Sequence, residues 1–181
     1  RVPEHSIRDA APEGIPCSIA VSSRDEALRL CQLKFKANCS KVLCKSKVEG
    51  VSKKRVIGIM SSLIAEQIEG VDEDDVFEAL MSREQLGTTG LGNGIAIPHC
   101  RLTQCDRLVG ALISLAEPVD YDSIDGKPID LVFALVVPDG GDTEHVKALG
   151  EIASLFLDED LCFTLRHTND DEDLYNVAIM T

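Results

Sequence analysis

Residues 129–138, IDLVFALVVP, form an apolar run that is interrupted only by Asp130 and ends at Pro138. A strand that alternates apolar and polar residues buries one face, whereas an almost unbroken apolar strand is typical of burial on both faces. This segment therefore predicts a central strand covered by helices on each side. Residues 107–118, RLVGALISLAEP, predict a second strand that ends near Pro118, and Asp125 with Gly126 predicts a turn between the two strands.

Apolar residues at helical spacing precede these strands. Residues 51–70 predict a helix that Ser52 caps and Gly70 ends. Residues 71–87 predict a second helix with Asp72 as its N-cap, because acidic residues crowd a first turn where the helix dipole favours them. The apolar stripe of this second helix is Val76, Phe77 and Leu80.

Two further helices follow the central strand. Residues 140–160 predict a helix capped by Thr143, and residues 169–180 predict a short final helix. The expected fold class is α/β, a mixed β-sheet of about five strands flanked by helices on both faces. The predicted apolar stripe of the longer helix is Val146, Leu149, Ile152, Ala153 and Phe156.

The N-terminal part of the chain has no clear period. Prolines and a glycine interrupt residues 1–32, and only residues 22–31 look helical, with Ser23 as a candidate N-cap. We expect residues 1–32 to be an unassigned leader, either mobile or added to the natural chain. Residues 33–181 are long enough to bury one core and are expected to form a single functional domain.

The charge of the chain limits its partners. The formal net charge is −13, yet residues 29–55 contain nine of the 18 Lys and Arg and Glu49 as their one acid. An acidic protein repels nucleic acid and anionic membranes, so we expect no nucleic-acid partner. The basic stretch is either a solvated arm and helix start or a docking site for an acidic partner.

No apolar run approaches the roughly 18 residues of a membrane span and no signal peptide is evident, so we expect a cytoplasmic protein.

The seven cysteines form no CxxC pair, and their odd number argues against a disulfide framework. We expect free thiols in a reducing cytosol. A zinc site could be assembled from His99, Cys100 and Cys105 with Cys39 and Cys44, but the spacers lie at the edge of the usual range, so we expect no metal. A thiol enzyme with Cys100 or Cys105 as its nucleophile is a further alternative. However, Cys100 and His99 are neighbours on an extended segment, so their side chains point to opposite faces and are poorly placed as a nucleophile and its base.

His99 is the candidate reactive residue. It follows a short strand and Pro98, at a point where the chain leaves the sheet. Proline fixes its own φ and favours extended geometry at Ile97, so the backbone of His99 is held in place. A neutral imidazole has one ring nitrogen free as a nucleophile. The alternative is a partly buried histidine that is hydrogen-bonded to the sheet.

Residues 90–99, GLGNGIAIPH, predict a loop that leads into a short strand. Bare glycine amides and nearby hydroxyls suit the three oxygens of a phosphorylated imidazole. The alternative is that the glycines are ordinary turn residues. The segment matches neither the GxGxxG nor the Walker nucleotide-binding pattern, so no nucleotide cofactor is expected. The candidate phosphate-binding residues are Thr88, Thr89, Gly90, Gly92, Asn93 and Gly94.

Two basic side chains complete the candidate site. Arg83 ends the second helix and can bind phosphate through two parallel hydrogen bonds, or it can complement the helix dipole. His145 lies in the first turn of the helix after the central strand. A neutral histidine there can donate a hydrogen bond to an anion, and it can equally be an ordinary surface residue.

The stretch SREQLGTTGLGNGIAIPHCRL, residues 82–102, closely resembles the phosphorylation-site motif of the fructose/mannitol-type enzyme IIA family of the bacterial phosphotransferase system. It is most similar to the nitrogen-regulatory branch. The resemblance also covers SKKR at 52–55, HVKALGEIA at 145–153 and DEDLY at 171–175. It spans about residues 33–181 in unbroken order.

The resemblance implies a mannitol-type enzyme IIA-like fold, in which a mixed sheet has helices on both faces. It implies that His99 accepts a phosphoryl group on Nε2 from a small histidine phosphocarrier protein. Arg83 matches the active-site arginine of the family, and His145 matches the second histidine that helps to hold the phosphoryl group. No cofactor is implied, because the donor is already an activated phosphoramidate.

For the nitrogen-regulatory branch the resemblance implies a phosphorylation-dependent regulator of protein targets in nitrogen and potassium control. One alternative is a sugar-specific enzyme IIA that passes its phosphate to the IIB domain of a transporter. A second alternative, from a different class, is a binding regulator in which His99 is not phosphorylated.

Overall fold

The computed structural model describes residues 41–49, 52–140 and 143–179. The leader and its predicted helix at 22–31 lie outside these residues. The described residues form six strands and five helices, as follows. In chain order they are β1 (Lys41–Val48), α1 (Lys53–Ala65), α2 (Glu73–Leu86), β2 (Gly90–Gly92), β3 (Ile95–Ala96), β4 (His99–Leu102), β5 (Val109–Val119), β6 (Ile129–Pro138), α3 (Thr143–Leu155), α4 (Glu159–Arg166) and α5 (Asp171–Ile179).

The strands form one mixed sheet in the order β1-β5-β6-β3-β2, and β4 pairs with β6 beyond the end of β3. Strands β5 and β6 are antiparallel, whereas β1 is parallel to β5, and both β3 and β4 are parallel to β6. Strand β6 therefore has neighbours along both of its edges. The sequence prediction of an α/β fold with a mixed sheet is confirmed.

Strand β6 divides the core into two layers. Alternate side chains of a strand point to opposite faces, and here both faces are covered. Val132, Ala134 and Val136 pack with residues of α1 and α2. The other face packs with residues of α3, α4 and α5, and its β6 members are Leu131, Phe133, Leu135 and Val137.

Helices α1 and α2 begin where the sequence indicates. The hydroxyl of Ser52 accepts the backbone N–H of Arg55 at 3.2 Å, and Asp72 is the N-cap of α2. Helix α2 ends before Gly87 as expected. Helix α1 is shorter than predicted, because it ends at Ala65 and Gly70 lies in the turn that follows.

The glycine-rich segment was predicted to be a loop that leads into a short strand. The short strand is present as β3, but the loop prediction is wrong for Gly90–Gly92. Residues Gly90–Gly92 form strand β2, which pairs antiparallel with β3. Asn93 and Gly94 join the two strands with φ of 56° and 80°. Two positive φ angles are the requirement of a tight hairpin turn, and Asn-Gly is the sequence that meets it most readily.

Strand β5 ends near Pro118 as predicted, whereas the boundaries of the helix predicted at 140–160 differ from the prediction. The pairing of β5 with β6 is irregular before its last residue, Val119, so the missing N–H of Pro118 is tolerated. The predicted helix at 140–160 ends at Leu155, and a separate helix α4 begins after Asp158, whose side chain accepts the N–H of Leu161 at 3.0 Å. Thr143 is the first helical residue rather than the residue before the helix.

Part of the basic stretch is a strand rather than a solvated arm. Strand β1, at one end of the path of paired strands, lies parallel to β5 and buries Cys44 beneath it. Its backbone is tied to the start of α5, where Asp171 accepts the N–H of Ser46 at 2.7 Å. This strand was not predicted from the sequence, because Lys45 and Lys47 are exposed and its alternation of apolar and polar residues is short.

Among the helices of the described residues, none is both long enough and apolar enough to cross a bilayer.

We predict that Phe133→Ala will lower the free energy of unfolding by about 3–5 kcal/mol, because it empties a fully buried position on the central strand. The ring of Phe133 lies 5.7 Å from that of Phe156, so the cavity would open between β6 and the α3–α4 connection. Urea denaturation measures the change. Phe163→Ala is the control, since Phe163 is 55% exposed and its ring stacks on that of His167, and it is expected to cost less than about 1.5 kcal/mol. Equal losses in the two variants would contradict the assignment of the core.

Candidate active site

His99 is the first residue of β4 and lies beside the central strand, opposite Leu135. The carbonyl of Pro98 accepts the N–H of Leu135 at 2.9 Å, so the turn into β4 is fastened to β6 by the backbone. The imidazole is half-buried. It is therefore neither sealed in the core nor on a loose loop.

One hydrogen bond fixes the imidazole ring. Nδ1 of His99 lies 2.9 Å from the carbonyl oxygen of Ile97. A carbonyl oxygen only accepts, so Nδ1 carries the hydrogen, and in the neutral ring Nε2 carries the lone pair. The ring nitrogen of His99 that has a free lone pair is thus Nε2.

The surroundings lower the pKa of His99 below its usual value of 6.5. Burial is the main cause, because it disfavours the charged ring, and the Arg83 guanidinium acts in the same direction. The Ile97 carbonyl and the Glu84 carboxylate oppose the shift. The net effect keeps the ring neutral, and hence nucleophilic, at neutral pH.

His99 opens into a cavity of about 590 Å³ between α2, β4, β6 and α3. Two charged side chains, Arg83 and Arg101, also line it. The rest of the wall is mostly apolar, from Ala79, Leu86, Val137, Val146 and Leu149. Leu86 and Val146 are 84% and 57% exposed, so Val146 is not the core residue that the helical stripe predicted.

Arg83 lies in the last turn of α2, and its Nη1 donates to the carbonyl of Gly87 at 3.0 Å. This bond caps the helix, which is the structural role that the sequence left open. The guanidinium also lines the cavity of His99, so the two roles coexist. A guanidinium has five N–H donors, and the bond to Gly87 uses one of them.

Sequence reasoning missed Arg101. It stands two positions after His99 on β4, and alternate residues of a strand share a face. Burial along β4 confirms the alternation, because Cys100 and Leu102 are buried while His99 and Arg101 are not. The spacing H-x-R at the start of a strand was the available signal.

None of the predicted phosphate-binding residues is among those that line the cavity of His99. Thr89 is buried, and both its N–H and its hydroxyl donate to the carboxylate of Glu84. Thr88 donates to the carbonyl of Tyr121 at 3.4 Å. A Cβ at Gly90 would clash with Ser123. Thr88, Thr89 and Gly90 thus hold the segment before β3 against Glu84 and the residues that follow β5.

The hairpin turn lies among carboxylates. The N–H of Asn93 donates to Asp125 at 3.0 Å, and a Cβ at Gly92 would meet the same carboxylate. The carbonyl of Gly94 accepts the N–H of Asp130 at 2.9 Å. Arg166 donates to the carbonyl of Asn93 at 2.6 Å and pairs with Asp130 at 2.9 Å. The polar groups of the turn thus already have partners within the fold, which favours the alternative that these glycines are turn residues.

His145 is in the first turn of α3, and the next residue, Val146, lines the cavity. The side chain of His145 lies outside the described part of the structure.

The buried thiols do not suit nucleophilic chemistry. Burial raises the pKa of Cys100 to about 12 and also raises the pKa of Cys105, whose Sγ donates to the carbonyl of Arg107. A thiol that stays protonated at neutral pH is a poor nucleophile. Within the described residues, no three side chains of His, Cys, Asp or Glu are grouped to hold a metal ion, and Cys39 lies outside them.

Comparison with known proteins agrees with the motif around His99. The family described as "Phosphoenolpyruvate-dependent sugar phosphotransferase system, EIIA 2" matches residues 37–179. A nitrogen regulatory protein of Pseudomonas aeruginosa is 43% identical over 132 residues, which cover 73% of this chain and 86% of that protein.

Solved structures agree as well. The nitrogen regulatory protein IIA-Ntr from Neisseria meningitidis is similar with a TM-score of 0.68 and 36% identity, over 76% of this chain and 92% of that one. The IIA mannitol structure from Escherichia coli, with a TM-score of 0.58 and 21% identity over 73% of this chain and 92% of that one, shares the fold. The chain therefore belongs to the EIIA 2 family of the phosphoenolpyruvate-dependent sugar phosphotransferase system, the family that its residues 82–102 resemble.

Proposed function

We propose that this protein is a phosphocarrier that accepts a phosphoryl group on Nε2 of His99 from a small histidine-containing carrier protein. The observation that carries the proposal is the ring geometry: Nδ1 is held by the carbonyl of Ile97, while the ring lines an open cavity shared with Arg83. A neutral, oriented imidazole beside a guanidinium is what transfer of a phosphoryl group between two histidines requires.

The transfer is balanced between the two imidazoles. Nε2 of His99 attacks the phosphorus, the N–P bond of the donor breaks, and its electron pair returns to the ring of the donor. A new N–P bond forms on His99, whose ring keeps the hydrogen on Nδ1 in its bond to Ile97 and becomes an imidazolium that bears the phosphoryl group. The donor ring, which likewise carries a hydrogen on its other nitrogen, leaves as a neutral imidazole. No proton has to leave His99, and no water or nucleotide is consumed.

Arg83 and Arg101 have the charge that the product needs. A phosphoryl group adds about 1.5 to 2 negative charges at neutral pH to a protein whose net charge is already −13. Guanidinium groups beside the reacting nitrogen offset this charge during transfer and in the product. His145 remains a third candidate, from its place at the start of α3.

The apolar rim of the cavity suits docking of a protein donor. Exposed Leu86 and Val146 flank the site from two different helices. Burying apolar surface around the imidazole would exclude water, which protects the labile N–P bond and strengthens the electrostatic contacts.

The output of the proposed carrier is regulatory, in nitrogen and potassium control. Relatives that cover most of this chain are nitrogen regulatory proteins. A phosphoryl group changes the charge of one face, which creates or blocks docking of a target protein. A sugar-specific enzyme IIA would instead pass its phosphate to a IIB domain.

We predict that incubation with phosphoenolpyruvate, enzyme I and the small carrier protein will raise the mass of this protein by about 80 Da. The gain should be labile in acid and absent in His99→Ala. His167→Ala is the control, because that histidine is exposed and bonded to Phe163 in α4, and it should be labelled normally. Labelling that survives His99→Ala would refute the site. Loss of the label to an added IIB domain would favour the sugar-specific alternative.

Arg83→Ala should slow phosphorylation of His99 by about a hundredfold, because it removes charge stabilisation beside the reacting nitrogen. Rapid-quench measurement of the initial rate checks this. Arg107→Ala is the matched control, since Arg107 lies in a different cavity and donates to the carbonyl of Gln67. The role of Arg83 would be contradicted if both variants were phosphorylated at the rate of the unsubstituted protein.

The pKa of His99, measured by NMR titration, should lie below 6.5. Protonation occupies the lone pair of Nε2, so the capacity to accept phosphate should persist at neutral pH and fall only as the pH drops through this lowered pKa. Because the guanidinium of Arg83 contributes to the lowering, Arg83→Gln should raise the pKa of His99. A value above 6.5 in the unsubstituted protein would contradict the burial of the ring.

A further inference from the structure

The carboxylate of Glu84 is buried beside the site without lining its cavity. The residue is 7% exposed. Its Oε2 lies 2.9 Å from Nζ of Lys53, and its Oε1 accepts the N–H of Thr89 and the hydroxyl of Tyr121, each at 3.1 Å. The hydroxyl of Thr89 donates to Oε1 as well. Nothing in the sequence motif distinguishes this residue from its neighbours on α2.

Hydrogen bonds lead from Glu84 to the reacting ring in three steps. The carboxylate holds the N–H of Thr89. The carbonyl of Thr89 accepts the N–H of Ile97 at 3.0 Å. The carbonyl of Ile97 accepts Nδ1–H of His99 at 2.9 Å. The acceptor of the second bond is the carbonyl of Thr89, whose N–H is held by Glu84. The acceptor of the third bond is the carbonyl of Ile97, whose N–H is held by Thr89.

We propose that Glu84 is a positioning residue for phosphoryl transfer, which acts through Thr89 and Ile97 to keep His99 in the tautomer that presents Nε2 to the donor. The inference rests on the proposed function and deepens it. A neutral imidazole has two tautomers, and a fixed acceptor at Nδ1 selects the one whose Nε2 is unprotonated. If the carbonyl of Ile97 turns away, that selection is lost.

The partners of Glu84 argue for this role over simple stabilisation. A buried ion pair is weak evidence for stability, because apolar residues of the same volume often fill the space equally well. A carboxylate, unlike an apolar side chain, fixes the direction of the N–H of Thr89. Lys53 supports it from α1, with Nζ also 4.6 Å from the centre of the Tyr121 ring. Glu84 therefore connects α1, α2 and the segment that orients His99.

The test compares Glu84→Gln with Glu78→Gln, the same chemical change at an exposed position of the same helix. The ¹⁵N shifts of the His99 ring in the unphosphorylated protein report the tautomer, and rapid quench reports the rate of phosphorylation. In Glu84→Gln we expect a mixture of tautomers and a rate lower by about tenfold or more, since small misplacements of reacting groups have effects of this size. Glu78→Gln should match the unsubstituted protein in both measurements.

Glu84→Gln removes the nearer of the two carboxylates beside the Lys53 ammonium and leaves only Asp122 at 4.0 Å, so the fold of this variant could fail. Lys53→Met/Glu84→Gln removes both charges and is the second variant, with backbone amide spectra to check the fold. An unchanged ring state in a folded Glu84 variant would overturn the inference, as would a changed ring state with an unchanged rate. Absence of phosphorylation in the unsubstituted protein would instead contradict the proposed function, whichever ring state the variants show.

Discussion

Burial of β6 on both faces is the constraint on which the site depends. Helices cover each side of this strand, and β5, β3 and β4 occupy its edges. Its residue Leu135 donates to the carbonyl of Pro98 and stands opposite His99 in register. Displacing the strand would cost apolar burial on two faces at once. The strand that is buried on both faces is therefore the one that positions the ring of His99.

The site joins an oriented nucleophile to a place where charge can be offset. The backbone of Ile97 determines which nitrogen of His99 is protonated, and burial keeps the ring neutral. Arg83 comes from α2 and Arg101 from β4, so the two positive charges approach the cavity from different elements. The surrounding wall is apolar, and electrostatic contacts are stronger where water is excluded. The proposed phosphoryl transfer relies on this arrangement of ring, charge and apolar wall.

The sequence predicted the elements whose signal is local. The two-sided strand, the caps at Ser52 and Asp72, and the shared neighbourhood of His99 and Arg83 all agree with the structure. It did not predict the break after Leu155, because the apolar period runs on through Phe156 into α4. It also did not predict what the glycines contact. Asp125 and Asp130 come from another part of the chain and meet the hairpin only in the folded protein. Glu84 was missed for the same reason, since its partners lie on three separate segments.

The nitrogen that carries the phosphoryl group is the most direct test of this account. One-bond ¹⁵N–³¹P coupling in the phosphorylated, ¹⁵N-histidine-labelled protein identifies it without any substitution. The account predicts coupling to Nε2 of His99, with Nδ1 of the same ring still protonated and bonded to the carbonyl of Ile97. Coupling to Nδ1, or to a different histidine, would contradict the geometry on which the proposed function rests.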